Sequence, residues 1–253
     1  MKQNRKSSSS NHKLHFRKWH RRFGMIASIF LLNLAITGVL LNHYEGLKLH
    51  QSYITTGWLL DWYGVSLPKN VRCLESKSKS ACQVGKQVYL DDAYWEDIQG
   101  SILFFGWWKE DVLLATSANV YWLTDDFKLI EVASFSGQVD GIVESIGVLD
   151  NQLLIKTSQD AHYRFDMMTY AWKPTEALTI NNQSATPADK KTQSELGDKY
   201  RQRQITHLQF VQDLHSGSII GLSGKITHDI TAFIIIWLVA SGFITWRRRK
   251  NKK

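Results

Sequence analysis

Two apolar runs without an ionisable group, residues 23–41 (FGMIASIFLLNLAITGVLL) and 230–246 (ITAFIIIWLVASGFITW), constrain this chain more than any other feature. At ~1.5 Å rise per residue the first covers about 28 Å of a hydrocarbon layer roughly 30 Å thick, which predicts a transmembrane helix. The second is close to the shortest run that can span. It must draw on the preceding GKITHD, which carries Lys225, His228 and Asp229 to one interface. A cleaved signal peptide is the competing reading of the first run. After Gly38, however, VLLNHYEGLKLH offers no small-x-small cleavage site, so a retained anchor is expected.

The charges crowd outside these runs. Residues 1–22 hold eight Lys/Arg and no acid, and residues 247–253 hold six and no acid. The tails are thus +14 together, while the 224 residues between them carry 17 basic against 23 acidic side chains and are −6. Positive flanks stay on the cytoplasmic side. Both termini are therefore placed inside, with residues 44–226 across a bacterial inner membrane in the periplasm. The same split argues against a soluble cytosolic enzyme. It also argues against a nucleic-acid binder, which spreads basic residues over a folded surface.

Residues 85–172 alternate β-branched and aromatic residues with Gly, Asp and Asn, the pattern of antiparallel strands joined by tight turns. Candidate strands are 87–91, 101–107, 112–115, 120–124, 129–133, 153–157 and 162–166. A shift of 41 residues lays GWWKEDVLLATSANVYWLTDD on GVLDNQLLIKTSQDAHYRFDM, matching Thr116 with Thr157 and Ser117 with Ser158. A shorter copy, VYLDD from Val88, matches VYWLTDD from Val120. Such repeats resemble propeller blades, although two and a half copies favour a meander or half-barrel over a closed ring. Trp58, Trp62, Trp95, Trp107, Trp108, Trp122 and Trp172 lie in or beside this segment. They read as strand core and membrane-interface belt, with a ligand-stacking platform as the alternative. Cys73 and Cys82 would both lie in the oxidising compartment and are expected to form a disulfide.

The fold class expected is a pair of antiparallel transmembrane helices with an inserted all-β antiparallel extracytoplasmic domain. By residue, this gives a basic tail (1–22), a first span (23–43), a β domain (44–174), a polar linker (175–204), an amphipathic juxtamembrane segment (205–226), a second span (227–246) and a second basic tail (247–253). The juxtamembrane segment either lies along the membrane surface or forms the outer end of a long second helix.

Hydrolytic equipment is not visible: the outside segment has no Ser/His/Asp spacing, phosphate-cradling Gly loop or HExxH. Chemistry would rest on the histidines in or near the spans, because ionisable groups are costly there. The candidates are His20, His43, His215 and His228. By depth, His43 and His228 would face each other at the outer level and could ligate one haem iron. On one continuous helix His215 and His228 would be about 140° apart, and so are His20 and His43, so neither pair would share a cofactor column. The alternative is that these side chains are interfacial hydrogen-bonding groups and that His20 sits among cytoplasmic basic residues. Gly217, Gly221 and Gly224 fall on the His228 face and, with Gly38, could instead pack helices together.

RKWHRRFGMIASIFLLNLAITGVLLNH (17–43) resembles the first membrane segment of the PepSY-associated transmembrane family. VQDLHSGSIIGLSGKITHDITAFIIIWLVASGFITWRRR (211–249) resembles its closing segment. The resemblance covers the two ends and not the segment between. It implies a bacterial inner-membrane protein linked with iron uptake, whose larger relatives pass electrons through haem b to siderophore-borne ferric iron; the motif histidines carried onto this chain are His20, His43 and His215. This chain departs from those relatives in having two spans and no flavin or nicotinamide motif. The expectation is therefore an electron-transfer subunit in a homo-oligomer or membrane complex rather than a self-contained enzyme. The alternative is a non-catalytic scaffold or sensor whose β domain binds a periplasmic protein partner.

Overall fold

The computed structural model describes residues 6–250 apart from 69, 178, 181 and 182. Residues 1–5 and 251–253 of the basic tails lie outside the described residues. The chain divides into two compact units, Met1–Gly64 with Gln202–Lys253, and Val65–Arg201.

In the first unit, helix α1 (Lys6–Asn42) runs without a break, and no proline interrupts it. Its stretch Lys18–Asn42, and Ser218–Ile244 in the other half of the unit, are long and apolar enough to cross a membrane. Met25, Ile29, Leu32 and Ile36 on the first, and Phe233, Ile236, Val239 and Phe243 on the second, are exposed. A water-soluble fold would hide such a set, whereas hydrocarbon is its natural solvent. After α1 comes a short helix, α2 (Gly57–Trp62), which buries Leu59 and Leu60.

The approach to the second span is not one continuous helix. Helix α4 (His207–Ser216) begins at Thr206, whose hydroxyl accepts the Gln209 amide at 3.0 Å, and ends at Gly217 with φ +75°. A 3-10 turn (Ser218–Ile220) follows, then Gly221 with φ +68°, where α5 (Gly221–Lys250) starts. The Asn33 side-chain amide donates to the carbonyl of Leu214 at 3.0 Å, satisfying one of the acceptors left open at the end of α4.

The second unit is built from three antiparallel sheets. The first has order β13-β1-β2-β3-β4, with β1 (Val71–Ser76), β2 (Lys79–Val84), β3 (Gln87–Leu90), β4 (Ala93–Asp97) and β13 (Thr186–Pro187). The second runs β5 (Ile102–Trp108), β6 (Asp111–Thr116), β7 (Asn119–Leu123), β8 (Leu129–Ser134). The third runs β9 (Val143–Leu149), β10 (Gln152–Thr157), β11 (His162–Asp166), β12 (Ala171–Thr175). Strands β1, β2, β4, β9, β12 and β13 have no counterpart among the seven expected from alternation.

The repeat has a physical basis in this unit. The second and third sheets start at Ile102 and Val143 and end at Ser134 and Thr175, offset by the repeat length. The Ser117 amide donates to the Ser101 carbonyl at 3.0 Å while its hydroxyl accepts the Ser101 amide at 3.3 Å. Ser158 makes the same pair of bonds to Ile142, at 2.8 and 3.1 Å. The short copy also fits, since β3 and β7 are each the next-to-last strand in their sheets.

Strand periodicity lets the middle sheet serve two cores. Phe104, Trp108, Leu113 and Trp122 pack with Ile146, Leu153, Ile155, Phe165 and Trp172 of the third sheet. Phe105, Val112, Leu114, Tyr121 and Leu123 point the other way and pack with Leu74, Val88 and Leu90 of the first. Trp108, Trp122 and Trp172 are therefore core residues and not a ligand platform. Cys73 and Cys82 are directly opposed in the β1–β2 register, and their sulfurs are bonded.

Two expected boundaries change. Residues 175–204 are not an open linker: Gln183 bonds both the amide and the carbonyl of Phe105 at 2.8 Å, β13 pairs with β1, and α3 (Lys190–Arg201) follows. Leu196 of α3 is fully buried against Val71, Val84 and Tyr89. Nor does the β unit begin at 44, because residues 44–64 belong with the helices.

One titration follows from the third sheet. The Lys173 ammonium beside Asp166, helped by the Met168 amide, lowers that carboxyl to about 2. A depressed carboxyl pKa adds stability above its unfolded value, which is lost as pH falls through the folded one. The Asp166 side-chain carbonyl resonance is expected to titrate near pH 2, and Lys173→Ala to move its midpoint up towards the ordinary carboxylate range.

Candidate functional site

The break between α4 and α5 is where the first unit concentrates polar groups inside an apolar surround. Irregular backbone at membrane depth is tolerated when side chains or a cavity receive its freed groups, and here three sets of contacts do so. Gly217 and Gly224 lie so close that a Cβ on Gly224 would meet the carbonyl of Gly217, and a Cβ on Gly217 would meet the His228 ring. Asp213 accepts the Ser218 hydroxyl at 2.5 Å and the Tyr63 phenol at 2.9 Å. Trp62 Nε1 donates to the Ile219 carbonyl at 2.7 Å. Burial, then the bond to Asp213, holds the Tyr63 phenol proton well above its ordinary range.

His228 lies one turn beyond Gly224, with Nδ1 at 3.2 Å from the Gly224 carbonyl oxygen. A carbonyl only accepts, so Nδ1 carries a proton, and in the neutral ring the lone pair is on Nε2. Nε2 is buried and has no hydrogen-bond partner among the described residues. The ring meets Phe30 of α1 edge-on at 5.4 Å between centroids.

His215, near the end of α4, is set the same way. Its Nδ1 is 2.8 Å from the Thr37 hydroxyl, which sends its own hydrogen to the Asn33 carbonyl at 2.6 Å and so accepts from the imidazole. His20 has Nδ1 at 3.5 Å from the Ser241 hydroxyl, itself bonded to the Leu238 carbonyl at 3.0 Å. Its ring centroid is 6.1 Å from that of Trp237. His43 is exposed just past the end of α1.

These contacts arrange the four histidines as a ladder read along α1. His20 is its own rung, His228 stands at the level of Phe30, His215 at the level of Thr37, and His43 follows. At ~1.5 Å per residue the steps are about 15, 10 and 9 Å. The expected facing pair of His43 and His228 is therefore not formed: about 20 Å of helix separates their levels. The 140° phase difference between His215 and His228 does not apply either, because two glycines with positive φ interrupt the helix between them. Both residues turn to the same helix, α1.

Gly38 lies against His215, with a Cβ there 3.9 Å from Cε1, and Gly217 and Gly224 are taken up inside the chain, whereas a Cβ on Gly221 would meet nothing. The small-residue face is thus largely consumed by histidine packing. Sequence reasoning gave no role to Asn33, Thr37 or Asp213. Asn33 carried a signal, being an amide in an otherwise apolar span. Among the described residues no group of three or more His, Cys, Asp or Glu gathers to cage a metal ion.

Fold and site define a two-pass membrane protein with an inserted unit of three antiparallel sheets and one helix, and a histidine-lined helix break. The chain belongs to the family of the PepSY-associated TM region, whose model matches residues 1–249. The match runs through the β unit as well as the two end segments. No curated protein matches the chain.

Proposed function

We propose that this is a bacterial inner-membrane protein with two antiparallel spans, both tails cytoplasmic and residues 44–226 periplasmic, that serves as an electron-transfer accessory in iron uptake. The observation that carries the reading is the His228 ring, with Nδ1 tied to a backbone carbonyl and Nε2 buried and unpartnered. A metal-ligating histidine has that arrangement, its second nitrogen fixed by an outer hydrogen bond. A buried nitrogen with nothing to bond is otherwise unfavourable by about 1–3 kcal/mol. The donor set fits haem b, which asks the protein only for imidazole ligands. His228 would hold it, with His215 and His20 as further candidates, each at its own level. Bound there, haem would supply a one-electron couple for reduction of periplasmic ferric substrates such as siderophore complexes.

The residues of the chain hold tautomer and orientation: Thr37 and Asn33 for His215, Gly224 for His228. The rungs stand at separate levels, so a further imidazole for the group would come from a second copy of the chain or another subunit. Visible spectra of detergent-solubilised protein from haem-sufficient cells test the reading. A Soret band with sharp reduced α and β bands is expected in the wild type and in His43→Ala, and is expected to be lost in His228→Ala. A featureless spectrum at full protein recovery would overturn it.

In that event a scaffold or sensor role leads, and one observation favours it. The edge strand β8 leaves Leu129, Ile130 and Val132 exposed, a ladder of apolar side chains beside unpaired backbone groups that a periplasmic protein partner could extend. The three sheets in sequence would then act as blade-like layers presenting that edge.

A further inference from the structure

Helix α2 has two unlike faces. Leu59 and Leu60 are buried, whereas Trp58 and Trp62, four residues apart and so on one side of the helix, are 70% and 60% exposed. Two bare indoles on a six-residue helix are an unusual expense in water, and their height on the molecule can be read from the contacts. Trp62 Nε1 reaches the carbonyl of Ile219, and the apolar stretch of the second span begins one residue earlier, at Ser218. His215, four positions before Ile219, bonds Thr37, which is five residues short of the end of the first span at Asn42. On that scale His215 stands about 7 Å inside the end of the first span, and Trp62 is tied to the turn that follows it. Exposed Ile220 and Leu222 continue the same apolar surface into the lipid-facing side of α5.

We infer that α2 is an interfacial anchor whose Trp58–Trp62 face inserts into the headgroup and upper acyl layer of the bilayer. The occupant is lipid, because the face is continuous with the surface of a membrane span and sits at interfacial depth. The indole suits that layer, having an apolar body and one N–H that needs a partner. For Trp62 the partner is a carbonyl of the helix break itself. With Tyr63 on Asp213, two consecutive residues at the end of this anchor hold the turn that positions His228. Depth of α2 in the bilayer and geometry of the break are thus mechanically linked. The inference stands on exposure and depth and does not depend on haem.

The test is fluorescence quenching on the full-length protein in vesicles of phosphatidylethanolamine and phosphatidylglycerol brominated at shallow or deep acyl positions. The signals of Trp58 and Trp62 are isolated by subtracting the spectra of Trp58→Phe and Trp62→Phe. Trp58→Phe leaves the Trp62 bond in place and serves as the variant least able to disturb the fold. The Trp58 contribution is expected to fall at least twofold with shallow bromines and markedly less with deep ones. Aqueous acrylamide should quench it several-fold less than free tryptophan. Full quenching by acrylamide with none by bromolipid would place the face in water and overturn the inference. Protection from both would mean a protein surface covers it, which overturns it equally.

Discussion

Gly224→Ala is expected to open the break between α4 and α5 and to release His228. A Cβ at this position would occupy the place of the Gly217 carbonyl oxygen and crowd the Ile220 side chain. The obstacle is backbone, so no rotamer change relieves it. Inserting one methyl into such packing costs about 1–3 kcal/mol. Gly217→Ala meets the His228 ring and the Gly224 carbonyl, and adds roughly 1–2 kcal/mol for a side chain at φ +75°. In detergent micelles each variant should lower the melting temperature, by about 2–4 °C per kcal/mol for a chain of this size. His228 should also become several-fold more reactive to diethylpyrocarbonate as its Nε2 loses cover. Two glycines serve as controls. Gly221 has φ +68° but open space, so Gly221→Ala should show the backbone strain alone, and Gly24, open and helical, should tolerate Ala without loss. If Gly224→Ala and Gly24→Ala behave alike, the packing argument for the break is wrong.

Leu196→Ala is expected to destabilise the β unit by about 2–5 kcal/mol, the range for removing a fully buried leucine. Helix α3 covers the face of the first sheet opposite Leu74, Val88 and Leu90, and Leu196 is its central contact with Val71, Val84 and Tyr89. Loss of that contact should speed amide exchange in β1 and β2 while β10 and β11, two layers away, stay protected. Uniform exchange across the unit would show that the three sheets open as one. No change anywhere would return residues 190–201 to the status of a linker. Glu195→Ala, on the exposed neighbour, should be close to neutral.

The helix 190–201 illustrates why part of this fold was not legible in advance. Its sequence, KKTQSELGDKYR, has a single large aliphatic residue in 12 positions, too few to register as a periodic face. One leucine suffices because the sheet beneath it supplies the rest of the apolar surface. Strands β1 and β2 escaped for a related reason: their Lys-Ser turn and exposed Arg72 and Glu75 conceal alternation whose inner positions, Cys73, Cys82 and Val84, appear only in pairing.

At the site, residue types were legible and partners were not. Histidines near the spans stood out because charge is costly there, and Gly217, Gly221 and Gly224 stood out as a cluster. The pairing of His43 with His228 rested on counting depth from Trp246 along an ideal helix. The contact of His228 with Phe30 places it about 20 Å below His43 instead.

What the sequence by itself determined are properties that depend on the chain locally: two spans from uninterrupted apolarity, the basic flanks beside them, the strands from period-two alternation with their repeat at 41 residues, and the cysteine pair from the compartment in which both cysteines fall. Each is a one-dimensional signal set by solvent, whether lipid or water, acting on successive side chains. What only the tertiary structure decided are phase and partnership. A pair of positive-φ glycines resets the helical angle between His215 and His228, so both meet α1 despite 13 intervening steps that would separate them on a straight helix. Three sheets stack so that buried indoles are core, while α2 leaves two indoles bare beside a span. Those outcomes depend on contacts between residues distant in the chain, such as Asn33 with Leu214 and Trp62 with Ile219, and such contacts form only when the packed chain brings them within reach.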